Sequence, residues 1–496
     1  MENLLIGLNH AFSISNLFYC FFGVSMGLIV GMIPGLGTIA ALSMLLPFTY
    51  AMQDPIGGLI MMSGIYYGSQ YGGNITSTLF GIPGEVSSVP ITKDAYELAK
   101  KGHASSALSI ATLGSFIAGC IATFFILYMS PPLMEIVYAF GPKEYCSLII
   151  FSIVFYILFC EQEILKSLIM LLLGMLFSLT GVDLATGQSR YVFDFWILQK
   201  GFPVVTVLSG LFGIGSILFI LIHQKKNNNF KQIVQTIEFF PKKIFSRKFF
   251  GFASIFRGTA IGSLIGLLPG AGGFLASYIS YNLEKRILKN KTKTSNNDKL
   301  KFIASAESGN NAGAQTSFIP LLSLGFPLTP VMALLLATMI VHGIEPGPAM
   351  FQKHSDLFYT LVTSMWVGNL FLLLICIFTV RWLPKIMNLS LRYIFIVSLI
   401  TSIYIVYDFD KTWQNLFVLL FFSFLGYMLS IFKYEFSPLI LGFMLGPRFE
   451  DYLRQSLIIS KGDLFLFFDS KLSFLFYLAS FCLILWTFYK KILKTN

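Results

Sequence analysis

Long runs of apolar residues alternate along the chain with short polar or charged segments. Four of the clearest runs are Ser105 to Met129, Phe202 to Ile222, Phe358 to Val380 and Leu472 to Tyr489. A helix needs roughly 17 to 25 mostly apolar residues to cross the hydrocarbon core of a bilayer, and these runs meet that length. The pattern predicts about ten to twelve transmembrane helices, and therefore an all-α polytopic membrane protein.

Composition agrees with this prediction. Hydrophobic residues make up 55% of the chain and charged residues only 12%, whereas soluble domains carry about 25% charged residues. The net charge of +11 would also suit a nucleic-acid-binding protein, but the Lys and Arg residues lie beside the apolar runs. That distribution is typical of cytoplasmic loops, so we expect contact with membrane lipid and no nucleic-acid partner.

Two basic segments, Gln224 to Lys248 and Glu284 to Lys301, each contain seven Lys or Arg residues and are predicted to be cytoplasmic. The 33 residues from Phe249 to Tyr281 must then enter the membrane and return to the same side. Two full helices need about 40 residues. We therefore predict a short hairpin of half-spanning helices, broken at Leu268 to Gly273, where proline and glycine interrupt the helix.

An internal repeat supports this interpretation. The spacing Gly27-xxx-Gly31-xx-Pro34-Gly35-x-Gly37 recurs 235 positions later as Gly262-xxx-Gly266-xx-Pro269-Gly270-x-Gly272. Each copy is followed by a stretch that begins with small polar residues and ends in Gly-apolar-Pro, at 68–84 and at 308–327. Duplication explains this better than chance.

The repeat suggests a division of the chain into four parts. We predict a first transmembrane repeat at 1–200, a linker helix and basic cytoplasmic loop at 201–248, a second repeat at 249–440 and a C-terminal helix region at 441–496. The sequence does not say whether the two repeats are inverted or parallel, although inverted repeats are the expectation, because many transporters are built that way.

The two polar stretches are the candidate substrate site. Small polar residues at membrane depth are costly unless they face protein or water, and the N-termini of broken helices can hold an anion without a formal cation. The candidate substrate-binding residues are Gly72, Gly73, Asn74, Thr76, Ser77, Thr78, Asn310, Asn311, Gln315, Thr316 and Ser317. The residues predicted to break the helices are Pro34, Gly35, Gly37, Pro83, Gly84, Pro269, Gly270, Gly272 and Pro327.

Other interpretations of these residues stay open. Gly27, Gly31, Gly262 and Gly266 fall in helical register, and close helix packing explains them better than ligand binding does. Glu85 and Glu307 are candidates for coupling to an ion, because a carboxylate at membrane depth often binds a proton or cation. A solvated position at the membrane interface would explain these two residues equally well.

Enzyme signatures are hard to find. The chain lacks HExxH and GxxxxGK[ST] motifs, so we predict neither an enzyme nor an ATP-driven pump. The six cysteines show no CxxC spacing and no metal site or cofactor is expected. A cleavable signal peptide is not expected either, because no Lys or Arg precedes the first apolar run. Energy would come from a Na⁺ or H⁺ gradient; a passive channel or an exporter of organic anions is the alternative.

The motifs resemble those of the large membrane subunit of the tripartite tricarboxylate transporters, the TctA family. The resemblance rests on residues 31–37, 67–77, 81–88, 100–119, 268–273, 307–311, 319–327 and 342–348. It implies a subunit of the bacterial inner membrane that works with a small membrane subunit and a periplasmic solute-binding protein. It also implies Na⁺- or H⁺-coupled uptake of di- or tricarboxylates such as citrate.

Two departures from the family pattern fall at the candidate site. Leu328 follows Pro327 where the family usually has glycine, and Gln315, Thr316 and Ser317 replace a run of small residues. The resemblance therefore leaves open whether the substrate is citrate or another carboxylate.

Overall fold

The computed structural model describes residues 2–33, 37–52, 54–159, 163–183, 186–223, 251–270, 272–288, 295–379, 412–463 and 465–495, with a few residues between 396 and 407. Its first part contains α1 Glu2–Ala11, α2 Ile14–Gly31, α3 Gly37–Ala51, α4 Pro55–Phe80, α5 Val89–Leu98, α6 Ala104–Val137, α7 Pro142–Phe159 and α8 Ile164–Ser178. A two-residue hairpin follows, in which β1 Gly181–Val182 pairs antiparallel with β2 Ser189–Arg190.

The next helices run from the hairpin to the C-terminus. They are α9 Val204–Leu208 and α10 Ile217–His223, joined by a π-helical segment, and then α11 Phe252–Ile265, α12 Gly272–Leu288, α13 Asn296–Thr316, α14 Phe318–Leu324 and α15 Pro330–Val341. The last are α16 Pro348–Lys353, α17 Ser355–Thr379, α18 Gln414–Ile431, α19 Ser437–Ile459, α20 Leu466–Asp469 and α21 Lys471–Thr495.

Within the described ranges, six helical segments are long and apolar enough to span a membrane, and five further apolar helices are shorter. The predicted all-α polytopic fold is confirmed. The whole basic segment 224–248, where we predicted a cytoplasmic loop, lies outside the described residues, as do Pro34 and Gly35.

The predicted hairpin at 249–281 consists of α11 and α12, with the chain leaving helical geometry between Ile265 and Gly272. The 14 residues of α11 extend about 21 Å at 1.5 Å per residue, which is less than the roughly 30 Å hydrocarbon core. Gly270 N donates to the carbonyl oxygen of Leu328 over 2.7 Å. The break is thus attached to the loop that follows α14.

Glycines in both halves allow the same close helix pairing. A Cβ on Gly23, Gly27 or Gly31 of α2 would overlap the carbonyl oxygens of α4, at Met61, Ile65 and Ser69 respectively. Gly258, Gly262 and Gly266 of α11 meet Ser305, Gly309 and Gly313 of α13 in the same way. Both contacts advance by four residues along both partners, so each pair of helices runs parallel. Close packing therefore accounts for these glycines.

The helices that end the two polar stretches, α4 and α14, also terminate in the same way. Gly81 follows α4 with φ of 70° and Gly325 follows α14 with φ of 68°, and both glycines cap their helix in the left-handed conformation. The N–H of Gly81 donates to Ser77 O, and that of Gly325 bonds to Pro320 O. Side chains rarely adopt this conformation, which explains a glycine at each end.

The two halves interlock. Asn311 of α13 donates to Ser115 of α6 over 2.7 Å, and Gly368 of α17 packs against the ring of Tyr67 in α4. At one end, Lys299 of the second half forms a 3.0 Å ion pair with Asp94 of the first. The long helix of each half is therefore packed on the polar helix of the other.

Candidate functional site

The two polar stretches lie on α4 and α13, in the interior of the protein. Asn74, Thr76, Ser77 and Thr78 are all 0% exposed. The second stretch is equally enclosed, since Asn310 is 0% exposed and Asn311 3% exposed. Both stretches therefore lie where polar groups need partners from the protein or from a ligand.

The structure brings α4 and α13 close to each other. The ring of Phe318, just after α13, lies 6.3 Å from the ring of Tyr66 and 6.4 Å from that of Tyr67, measured between centroids. Tyr71 of α4 is close enough to Glu307 of α13 for an electrostatic interaction. The candidate residues of the two halves thus belong to neighbouring helices.

Most hydroxyl groups of the first stretch are engaged by the protein. Thr76 Oγ1 donates to Met32 O at 3.0 Å, Ser77 Oγ to Ser88 Oγ at 2.9 Å, and Thr78 Oγ1 to Asn74 Oδ1 at 3.2 Å. Gly72 and Gly73 provide close backbone contacts instead, Gly72 with α2 and Gly73 with Glu85. These side chains shape the site.

Gln315, Thr316 and Ser317, where the sequence departs from the pattern of the family that it resembles, also form hydrogen bonds within the protein. Gln315 bridges two helices, because its Nε2 donates to Asn369 Oδ1 at 2.9 Å and its Oε1 accepts from Thr123 at 3.0 Å. Thr316 donates to Ala312 O and Ser317 to Gly313 O within their own helix. The polar atoms of all three residues are satisfied by the protein.

Among the described residues of 68–84 and 307–327, five side chains keep buried polar atoms without a hydrogen-bond partner. They are Asn74 at Nδ2, Asn310 at both amide atoms, Glu307 at both carboxylate oxygens, and Ser308 and Ser323 at their hydroxyls. Burying an unpaired amide or carboxylate is costly. Such groups require an explanation, and a bound water, ion or ligand would provide one.

Glu85, the other candidate for ion coupling, is bound to the protein. Its Oε2 accepts from the backbone N–H of Thr38 over 2.7 Å, at the start of α3. Helix N-termini attract carboxylates, because their N–H groups lack a helical acceptor and the helix dipole is positive there. Glu85 therefore neutralises the N-terminus of α3.

The predicted helix-breaking residues lie at the ends of helices. Pro269 and Gly270 lie between α11 and α12, while Gly37 and Gly272 begin α3 and α12 with φ of 67° and 46°. Pro83 and Gly84 follow the end of α4, and Pro327 follows that of α14.

Sequence reasoning missed part of the polar network. Thr38, Ser69, Gln70 and Ser87 form a continuous chain of side-chain hydrogen bonds, in which Gln70 Nε2 donates to Thr38 Oγ1 at 3.2 Å. The Ser-Gln pair after Gly68 was the available signal, because glutamine is unusual inside an apolar helix. Asn369 carried the same signal, because it is an amide inside the apolar run Phe358 to Val380. Thr123 carried none, since it becomes a partner only through the packing of α6 on α13.

Comparison with known proteins identifies the family to which this sequence belongs. The profile of the tripartite tricarboxylate transporter TctA family matches residues 17–441. An uncharacterized 52.8 kDa protein from the TAR-I ttuC' 3' region of Agrobacterium vitis is 38% identical over 94% of this chain and 92% of its own length. A second A. vitis protein, from the TAR-II ttuC' 3' region, is 40% identical over 41% of this chain and 83% of its own.

More distant proteins are also similar. An uncharacterized protein of Methanocaldococcus jannaschii is 26% identical over 55% of this chain and 64% of its own length. No solved structure matches the chain. From the family profile, which covers most of the sequence, we conclude that the chain belongs to the tripartite tricarboxylate transporter TctA family.

Proposed function

We propose that this chain is the translocating subunit of a secondary transporter that imports small organic di- or tricarboxylates across the bacterial inner membrane. A Na⁺ or H⁺ gradient drives the uptake, and a periplasmic solute-binding protein delivers the substrate. Family membership supports the tricarboxylate transporter part of this proposal, and the described residues supply its physical basis.

The observation that carries the proposal is the presence of unpartnered buried polar groups on the neighbouring helices α4 and α13. Asn74, Asn310 and Glu307 are completely buried and have unsatisfied atoms. The amide groups can donate to a carboxylate, and nearby helix N-termini add N–H groups and a positive dipole. This combination fits a small anion in a closed conformation of a transporter.

Glu307 fits the role of the coupling residue. Its carboxylate has no hydrogen-bond partner, and Tyr71 of α4, in the other half, lies close enough to interact with it electrostatically. A buried carboxylate is stable when it is protonated or bound to a cation. A proton or Na⁺ at Glu307 would link ion movement to the packing of the two halves.

The departures from the family pattern are compatible with a carboxylate substrate. Gln315, Thr316 and Ser317 form hydrogen bonds with other groups of the protein, so they add no unpartnered polar atoms. Leu328 is 4% exposed, and its carbonyl holds the break at Gly270. These residues would tune the shape of the site, so the choice among carboxylates is part of the proposal.

Reconstitution tests the proposal. The chain would be placed in proteoliposomes with the small membrane subunit, and the solute-binding protein would be added outside with labelled citrate, succinate or malate. We expect accumulation above the external concentration only when an inward Na⁺ or H⁺ gradient and the binding protein are both present. Equilibration without a gradient would instead identify a passive channel, and no flux of any of the three would reject the proposal.

A further inference from the structure

The start of α3 and the start of α12 are equivalent places in the two halves. Gly37 and Gly272, 235 positions apart, both begin their helix with positive φ. The ideal Cβ position of Gly37 lies 3.2 Å from Glu85 Oε2, and that of Gly272 lies 3.5 Å from Thr329 Cγ2. Glu85 and Thr329 therefore occupy corresponding positions.

In the first half this place is filled by the protein itself. Thr38 N donates to Glu85 Oε2 at 2.7 Å, and the Thr38 hydroxyl lies 2.7 Å from that of Ser69. Gln70 donates to Thr38 and accepts from Ser87. One carboxylate and a network of four polar side chains thus occupy the space at the N-terminus of α3.

In the second half every one of these side chains is replaced. Thr38, Ser69, Gln70, Glu85 and Ser87 correspond to Gly273, Gly313, Ala314, Thr329 and Val331. The hydroxyl of Thr329 accepts from Met332 N at 3.2 Å and so caps α15. The position of Glu85 therefore has no carboxylate in the second half.

One buried side chain points at the start of α12. Asn310 of α13 is 0% exposed and neither of its amide atoms has a partner. A Cβ on Gly273 would overlap Asn310 Oδ1, so this amide faces the first turn of the 17-residue helix α12. The helix N-terminus and the unpartnered amide are independent observations that indicate the same ligand chemistry.

We propose that the N-terminus of α12 and the side chain of Asn310 bind one carboxylate group of the transported substrate. Glu85 is the built-in counterpart of that group: it occupies the equivalent N-terminus of α3, so the first half does not bind substrate in this way. The backbone N–H groups of the first turn and the Asn310 amide donate to the carboxylate, and the helix dipole stabilises its charge. This inference rests on the proposed function, which it makes more specific.

Thr329→Glu tests the inference by copying the first half into the second. The new carboxylate can reach the N-terminus of α12 as Glu85 reaches that of α3, and it would exclude the substrate. Thr329→Gln is the matched control, because it has the same size and loses the same helix cap but brings no charge. We expect Thr329→Glu to lower uptake about tenfold or more, equivalent to about 1.4 kcal/mol, while Thr329→Gln retains most of it.

A binding measurement separates this result from a folding defect. Citrate, succinate or malate, whichever the wild-type protein transports, should raise the thermal midpoint of the purified chain, and it should do so for Thr329→Gln but not for Thr329→Glu. Asn310→Asp should also abolish both uptake and stabilisation, because it sets a negative charge against the substrate. Wild-type uptake together with normal uptake by Thr329→Glu would overturn the inference alone. Absence of wild-type uptake would overturn the proposed function, and the inference with it.

Discussion

At the residue scale, Glu307 and Glu85 show how position decides the role of a carboxylate. The sequence places both at the edge of a polar stretch, and nothing local distinguishes them. In the folded chain Glu85 accepts a hydrogen bond from the start of α3, whereas neither oxygen of Glu307 has a partner. Glu85 is therefore engaged by the protein, whereas Glu307 stays the candidate for ion coupling.

Glu307→Gln should separate stability from function. The neutral amide removes a buried unpaired carboxylate, so we expect a thermal midpoint equal to or above that of the wild type. Ion-driven accumulation of substrate should be lost. The control is Glu345→Gln, at an exposed ion pair with Lys353, which should change neither quantity. Gradient-driven accumulation by Glu307→Gln at the wild-type level would remove Glu307 from the coupling mechanism.

At the element scale, glycine rows determine which helices pair. In α2 and α11 they let the backbone of the partner helix approach to carbonyl contact, a distance that no side chain allows. The polar helices α4 and α13 are thereby held against α2 and α11, and the polar groups of both are buried. The break residues then only need to reverse the chain.

Gly262→Ala should destabilise the protein, because the added methyl overlaps Gly309 O on α13. Overpacking of this kind costs about 1 to 3 kcal/mol. Gly251→Ala is the control: its Cβ would meet Ala304 Cβ at 3.6 Å, an ordinary contact. We expect less folded protein in the membrane and a lower thermal midpoint for Gly262→Ala only. Equal midpoints for the two variants would show that the α11–α13 contact can relax.

A charged network joins the β-hairpin to the polar end of α19. Arg190 donates to both oxygens of Glu450, at 2.7 and 2.8 Å, and Arg454 donates to Glu450 and Asp183. The hydrogen bonds from Arg190 hold the pKa of Glu450 below its ordinary value. Because the pKa is lowered on folding, the pair stabilises the fold above the unfolded pKa, and this contribution is lost as the pH falls through the folded pKa.

Glu450→Gln should reveal this dependence on pH. The network is partly exposed, so we expect a loss of about 1 kcal/mol or less at pH 7. An unfolded Glu has a pKa of about 4.3, so the difference in thermal midpoint between variant and wild type should shrink as the pH is lowered from about 5 to below 4. Midpoints recorded in detergent across this range provide the measurement. A constant difference would mean that Glu450 acts by packing and not by charge.

At the scale of the whole molecule, a long helix of each half packs against the polar helix of the other half. The first-half helix α6 packs on α13 of the second half, through Asn311 with Ser115 and Gln315 with Thr123. The second-half helix α17 returns to α4 of the first.

The double variant Gly114→Cys and Ser308→Cys tests this interlock. A Cβ on Gly114 lies 2.7 Å from Ser308 Oγ, close to the separation that a disulfide requires. In a background without the native cysteines, oxidation should join the two halves, so that fragments produced by cleavage between them migrate together until reduced. Neither single variant should cross-link. Separate fragments after oxidation of the double variant would show that α6 and α13 are not neighbours.

The sequence by itself determined the solvent, the class of fold and the family. Apolar length and low charge require a membrane, and the Pro-Gly repeats mark breaks, because these are local properties of chain chemistry. It also identified Asn310 and Glu307 as unusual. It could not distinguish Asn310, whose amide is free, from Gln315, whose amide bridges Thr123 and Asn369. Only the tertiary structure decided that, since a hydrogen-bond partner 192 or 54 positions away is set by helix packing and not by the neighbouring residues.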